Sequence, residues 1–357
     1  MRTIRHFFET YERHISSAFL LGGFIIDTLT LRRVDLFFGN VVLISYITLA
    51  TIGIALLHIH AAGRLRIFVF RWIPLVAPFA IQFAFGGLFS AFLIFYFRSA
   101  AIGVSWPFVL VIALLFIGNE LFKKYYSRLV FNVSILYFCY FSFLILYVPL
   151  IISRLGMWVF VLSGALSLCA IWIFVHLLEL SVPVLIKKAK PMLMVSIGGI
   201  YLTISALYFL NIIPPIPLSL KYIGVYQSVV RESDGFHLFD QKKQHRWLEL
   251  RDTIAITDGS PVYVFSSVFA PTALNTKIIH HWQQFDPDTK TWVTSFQPRF
   301  DISGGRDGGY RAYSVKSNVA PGLWRVDVET SGGQIVGRIT FEVELVDTPV
   351  VLHERVY

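Results

Sequence analysis

Six long stretches free of Asp, Glu, Lys and Arg fill the first three-fifths of the chain: residues 36–63, 72–97, 99–119, 129–153, 155–178 and 191–220. A helix rising 1.5 Å per residue needs roughly 20 mostly apolar residues to cross a hydrocarbon core of about 30 Å, and each stretch is long enough. Buried helices of a soluble bundle would show a polar face every 3.6 residues, and none of the six has one. A seventh, shorter segment over 15–31 carries Asp27. Pro74 and Pro78 predict a turn or kink at the start of the second stretch, with its span near 79–97. The pattern predicts an all-α transmembrane bundle of about seven helices over residues 15–213.

Ahead of the bundle, Ile4, Phe7, Phe8, Tyr11 and Ile15 recur at spacings of three and four. They predict an amphipathic interfacial helix over 1–14, its arginines toward anionic lipid. Glu9 and Glu12 interrupt this segment and no small-residue cleavage site follows, so it does not read as a cleavable signal.

After Pro214, Pro215 and Pro217 the apolar runs give way to alternation. Strands are predicted over 261–271, 276–285, 290–300, 309–316, 322–330 and 334–345. Trp324, Val326 and Val328 share one face and Arg325, Asp327 and Glu329 the other. In the next strand Ile335, Ile339, Phe341, Val343 and Leu345 face one way, with Ser331-Gly332-Gly333 as the hairpin turn between the two. Half-buried antiparallel strands at this spacing predict an all-β, Ig-like sandwich over 259–346. Residues 214–258 read as a linker with an added hairpin or stalk, and 347–357 as a tail. The fold class is thus a multi-domain membrane protein.

His280-His281-Trp282, the strand Phe265 to Pro271 before it, and Pro321-Gly322-Leu323-Trp324-Arg325-Val326-Asp327-Val328 resemble an uncharacterised bacterial domain-of-unknown-function family. The resemblance is carried by residues 260–345, and in the membrane half by layout only. It implies a bacterial inner-membrane protein whose C-terminal sandwich lies in the periplasm, and it implies no activity.

Composition sharpens the picture. Only 15% of the 357 residues are charged and 55% are hydrophobic, against about 25% charged in soluble domains, which excludes a wholly soluble protein. Up to Leu218 there are 16 Lys+Arg against 6 Asp+Glu; beyond it, 15 against 16. The basic excess belongs to the connections. Arg2, Arg5, Arg13, Arg64, Arg66, Arg71, Lys123, Lys124, Arg128, Lys187, Lys188 and Lys190 fall on one side of seven spans. Arg32, Arg33, Arg98 and Arg154 fall on the other. The positive-inside rule puts the N-terminus in the cytoplasm and the C-terminal domain in the periplasm. Trp106 and Trp158 at outer span ends and Trp72 at an inner one fit an aromatic belt. Topology explains the basic charge, so nucleic acid is not an expected partner.

Chemistry is sparse. Both cysteines, Cys139 and Cys169, lie in spans, so no disulfide staples the sandwich. Asp27, with Arg32 and Arg33 close behind, is the candidate intramembrane polar site: a proton or ion site, or a carboxylate fixing the end of a span. Glu120 with Lys123 and Lys124 has helix-face ion-pair spacing. Gln82, Asn119, Asn132 and Asn211 read as interhelical hydrogen bonds. His58 and His60 lie on different helix faces, and His176 with Glu179 lacks further ligands. His280 and Trp282 share a strand face that, joined by Trp292, would stack a sugar or peptide aromatic if exposed; the plainer reading puts an aromatic in the core. The loop 301–309 lacks the alternating oxygens and closing Glu of a calcium loop. No metalloprotease His-Glu-x-x-His, phosphate-binding glycine loop or paired intramembrane aspartate occurs.

The sequence thus predicts no catalytic residue, cofactor or metal. It predicts a non-enzymatic membrane protein, in contact with the lipid bilayer and presenting a β-sandwich to an envelope protein, peptide or glycan. The alternatives are a transporter or channel using Asp27, Arg32 and Arg33, and an intramembrane enzyme with no constellation behind it.

Overall fold

The structure, a computed structural model, describes residues 24–31, 35–64, 73–99, 101–121, 125–126, 128–215, 217–241, 252–271, 274–306 and 308–357. The expected interfacial helix, Arg32, Arg33, Trp72, Lys123 and Lys124 lie outside the described residues. The chain divides into two compact units, in the main the helices up to Ile212 and the strands from Ile213 onward.

The helical unit holds α1 (described over 24–30), α2 (Phe37–Ala61), α3 (Ile73–Ser99), α4 (Ile102–Leu121), α5 (Leu129–Ile152), α6 (Met157–Ser181) and α7 (Pro183–Phe209). Five are long and apolar enough to cross a membrane: α2, α3 from Val76, α5, α6 and α7. Two boundaries differ from the sequence expectation. Helix α3 starts at Ile73 and continues through Pro78. Pro74 falls in its first turn, where a missing N–H costs nothing. Helix α7 starts at Pro183, so Lys187, Lys188 and Lys190 lie in its first turns and not in a connection. Proline is pre-set for the first helical position and lysine is a good helix former. A charge-free window therefore starts this helix too late.

Small and amide side chains set the helix packing. A Cβ on Gly87 of α3 would lie 2.5 Å from the Tyr46 ring of α2, an approach that needs glycine. Asn119 donates to the Gln82 carbonyl at 3.1 Å and accepts from the Tyr126 hydroxyl, while Asn132 donates to the Tyr126 carbonyl at 2.7 Å. Asn211 instead sits past the end of α7 with φ of 57°.

The β unit contains β1 (Ser219–Tyr226), β2 (Ser228–Arg231), β3 (Phe236–Gln241), β4 (Asp252–Ile256), β5 (Val262–Phe269), β6 (Asn275–Asp286), β7 (Thr291–Phe296), β8 (Arg299–Ser303), β9 (Tyr310–Lys316), β10 (Gly322–Thr330), β11 (Ile335–Leu345) and β12 (Leu352–Val356). They form a three-stranded sheet β1-β5-β9 and a six-stranded sheet β4-β11-β10-β6-β7 with β8 also on β6. A second three-stranded sheet has the order β12-β3-β2. Strand β4 runs parallel to β11; the other pairings are antiparallel. The first two sheets share a core of Ile254, Val262, Val264, Trp282, Trp324, Val326, Phe341 and Val343.

Four expectations are revised here. Residues 214–258 are more than a linker, because β1 and β4 are integral to the two large sheets and only β2–β3 form an added hairpin. The 347–357 tail holds β12, which closes that hairpin into a sheet. The 290–300 strand breaks into β7 and β8 around Pro298, which has no N–H for a ladder and gives its carbonyl to His280 N at 3.0 Å. A bulge between Val328 and Glu329 shifts the β10–β11 register, so Val336 at 1% exposure, and not Ile335, enters the core.

Candidate functional site

Strand β6 sets the site because its residues alternate between two very different environments. His280 and Trp282 point inward and are fully buried, at 0% exposure. His280 Nε2 lies 2.8 Å from Ser266 Oγ and its Nδ1 2.9 Å from Ser314 Oγ, to which Trp282 Nε1 also donates at 2.9 Å. The His280 imidazole is held neutral by burial, its pKa pushed down to about 3. A partner cannot reach this pair, so the expected exposed His280–Trp282 contact face is withdrawn. Their partners come from β5 and β9, which explains why a histidine is affordable in a core: every polar atom of it is bonded.

The outward side of the same sheet carries a connected polar and aromatic network. The Arg325 guanidinium lies 4.3 Å over the half-buried Trp292 ring, and its Nε donates to Gln283. Trp292 in turn meets the Phe285 ring edge-on at 5.3 Å. Gln283 lies 3.2 Å from His281 Nε2, which is 2.8 Å from Thr294 Oγ1, while His281 Nδ1 is 3.3 Å from Glu329. Asp327, 3% exposed, accepts from Arg338 Nε at 2.5 Å and Nη2 at 2.8 Å. Burial lowers the Arg325 pKa and the nearby Arg338 charge adds to it; the Asp327 bond raises that of Arg338. Burial also raises the Glu329 carboxyl. Of the three residues expected to touch a partner, Trp292 alone faces outward, and Arg325, Gln283 and His281 join it. Alternation along 322–330 placed Arg325 on this face; its stacking on Trp292 joins strands far apart in sequence and carries no local signal.

A second cluster gathers at β3. His237 Nε2 is 2.8 Å from Asp234 and 3.7 Å from Glu232, and its Nδ1 bonds Glu354 of β12. One ligand atom each of Glu232, Asp234 and His237 lies within 4.8 Å of the others, a spacing that could hold a metal ion. The bonds to Asp234 and Glu354 raise the His237 pKa to about 9, which suits an ion-pair clasp of these side chains. The 301–309 loop is pinned at Gly304 and Gly305 by backbone bonds, Gly304 N to Leu274 O and Gly305 N to Ala270 O, both 3.0 Å.

Within the helices, Asp27 accepts from Ser90 Oγ of α3 at 2.6 Å. His58 is buried and His176 stacks on Trp172 at 5.5 Å; neither gathers a ligand set among the described residues.

The profile of a family described as a protein of unknown function (DUF2914) matches residues 275–343, which include His280-His281-Trp282 and Pro321 to Val328. No curated protein matches the chain. Among solved structures, a β-glucosidase from Listeria innocua in complex with isofagomine is 15% identical with a TM-score of 0.19, covering 31% of this chain. The match spans only 16% of that enzyme's length. An alkylpurine DNA glycosylase from Pseudomonas fluorescens bound to DNA containing an abasic site analogue is 9% identical with a TM-score of 0.22, covering 87% of this chain and 99% of that one. Superpositions at this level bear on neither fold nor function.

Proposed function

We propose that this chain is a multi-pass protein of a bacterial inner membrane that holds an Ig-like domain in the periplasm. There, the outward face of β6, β7 and β10 binds an envelope protein. The Ig-like reading draws on strand order: β5 pairs β9 in one sheet, and β4-β11-β10-β6-β7 form the other. The chain crosses between these two sheets at β4–β5, β5–β6, β8–β9 and β9–β10, and a buried tryptophan, Trp282, sits on β6, just after the second of these crossings. The orientation draws on the twelve basic residues of the N-terminal side against four opposite.

The observation that carries the binding reading is the Arg325–Trp292 stack, 4.3 Å apart on an outward sheet face. Arginine and tryptophan dominate protein–protein hot spots, and a stacked, hydrogen-bonded guanidinium loses little entropy on docking. Its depressed pKa marks a cation short of solvation, which a carboxylate on the partner would relieve. The test places a photo-crosslinking residue at Thr294 of the full chain in bacterial cells. A discrete protein adduct, lost in Trp292→Ala/Arg325→Ala, is expected. No adduct, an adduct to glycan, or one indifferent to the double variant overturns the reading. The second reading, conduction past Asp27, has the Ser90 contact as its support; loss of an ion flux in Asp27→Asn vesicles would favour it.

A further inference from the structure

Helices α5 and α7 flank two hollows, of about 770 Å³ and 530 Å³, the smaller walled also by Phe89 of α3 and by Phe108 and Val111 of α4. Phe131 and Ser134 of α5 line both, so the hollows form one furrow. On α7 it follows Leu185, Met192, Val195, Gly199, Thr203 and Leu207, steps of three, four or seven that keep to one helix face. At 1.5 Å per residue that stripe is roughly 33 Å long, the thickness of a bilayer core. Met192 and Val195 are 66% and 76% exposed, so the furrow is open sideways. Ser134 Oγ donates to Ser196 Oγ at 2.8 Å and holds the helices together beside it.

One end of the furrow differs from the rest. Arg128 and Lys188 line it there, both exposed, and among the described residues neither has a carboxylate partner. The Arg128 guanidinium is steadied 5.0 Å over the Tyr125 ring. Two exposed cations at the mouth of an apolar slot complement a molecule with an anionic head and a hydrocarbon tail. Basic pockets between membrane helices hold anionic lipid headgroups for this reason. We propose that this furrow is a binding site for one anionic phospholipid, its phosphate between Arg128 and Lys188 and an acyl chain along α7 toward Gly199. On the topology given above, the headgroup end is cytoplasmic. The site is independent of the β unit, so failure of either reading leaves the other standing.

The test is native mass spectrometry of the full chain from mild detergent, offered phosphatidylglycerol or phosphatidylcholine of identical acyl chains. One phosphatidylglycerol should be retained on the order of tenfold more than phosphatidylcholine, the scale of two basic residues facing an anionic head. Arg128→Gln/Lys188→Gln should erase that preference. Lys187→Gln/Lys190→Gln, an equal charge loss on residues that do not line the furrow, should keep it. A Cβ at Gly199 meets nothing within 4 Å, so Gly199→Leu fills the slot without straining the helix and should lower retention of phosphatidylglycerol. Glycerol phosphate, which lacks the tail, should not displace the lipid. Equal retention of both lipids, an unaffected Arg128/Lys188 double variant, or full displacement by glycerol phosphate overturns the proposal.

Discussion

Arg338 closes on Asp327 with two parallel bonds, Nε at 2.5 Å and Nη2 at 2.8 Å, across directly paired positions of β10 and β11. The planar guanidinium matches both carboxylate oxygens, and Asp327 is 3% exposed, so the pair sits in a poorly solvated setting. Removing one partner strands a charge there. Asp327→Asn would leave Arg338, still near Glu329, without its bidentate acceptor and beside Arg325, which already feels its repulsion. We expect a loss of about 3–5 kcal/mol for this variant. Replacing both by Leu should recover most of it, because neither half of the pair is then left without its partner. Hydrogen exchange across β10 and β11 in the full chain checks this: protection collapses in the single variant and returns in the double.

Trp282 is the keystone of the β core. Its ring meets Trp324 at 6.5 Å and Phe341 at 6.1 Å, both edge-on, and its N–H is spent on Ser314. Trp282→Ala should cost about 3–5 kcal/mol through cavity formation. Trp282→Phe keeps most of the volume but leaves Ser314 Oγ short of a donor. Its cost should be smaller, about 1–3 kcal/mol. Urea titration followed by near-ultraviolet dichroism ranks the two.

Much of this was legible in the residues. Trp324, Val326 and Val328 alternate with charged neighbours, and a period of two with one oily face can only be a half-buried strand. His280 and Trp282 were placed on one side of β6 by the same rule, yet which side could not be read. A histidine is equally at home in water or in a core that bonds both its nitrogens, and here Ser266 and Ser314 lie 14 and 34 residues away. Strand β12, Leu-His-Glu-Arg-Val, is exposed on every residue and shows no oily face at all. It exists because β3 offers it an edge and Glu354 reaches His237. The start of α7 was hidden for the converse reason: lysines on apolar stems continue a helix while looking like a loop.

The two structural histidines should respond to pH with opposite signs. His280 has a folded pKa of about 3, below its ordinary 6.5. The unfolded chain takes up a proton that the core refuses, so stability falls as pH drops from 6.5 toward 3. The slope is at most about 1.4 kcal/mol per pH unit. His237 has its pKa raised to about 9, so its contribution is complete below 6.5 and is lost as pH rises through 9. His280→Gln should flatten the acid limb of the melting profile and His237→Gln the alkaline limb, each leaving the other limb in place.

Topology admits a test that leaves the packing untouched. Tyr357 exchanges backbone bonds with Phe236 at 2.9 and 3.1 Å, so a tag there would disturb β12 and β3. The turn between β6 and β7 is better, since Asp288 is exposed and its backbone N–H bonds Asp286 Oδ1 of the same turn at 3.0 Å. Cys139 is buried; Cys169 is exposed on α6 and would face lipid if that helix spans, so a Cys169→Ser background removes the one accessible thiol among the two. If the positive-inside reading holds, Asp288→Cys should label in intact cells. Lys190→Cys, at the opposite end of the charge asymmetry, should label only after permeabilisation. The reverse pattern would invert the protein in its membrane, and would move both the Arg325–Trp292 face and the Arg128–Lys188 end of the furrow to the other compartments.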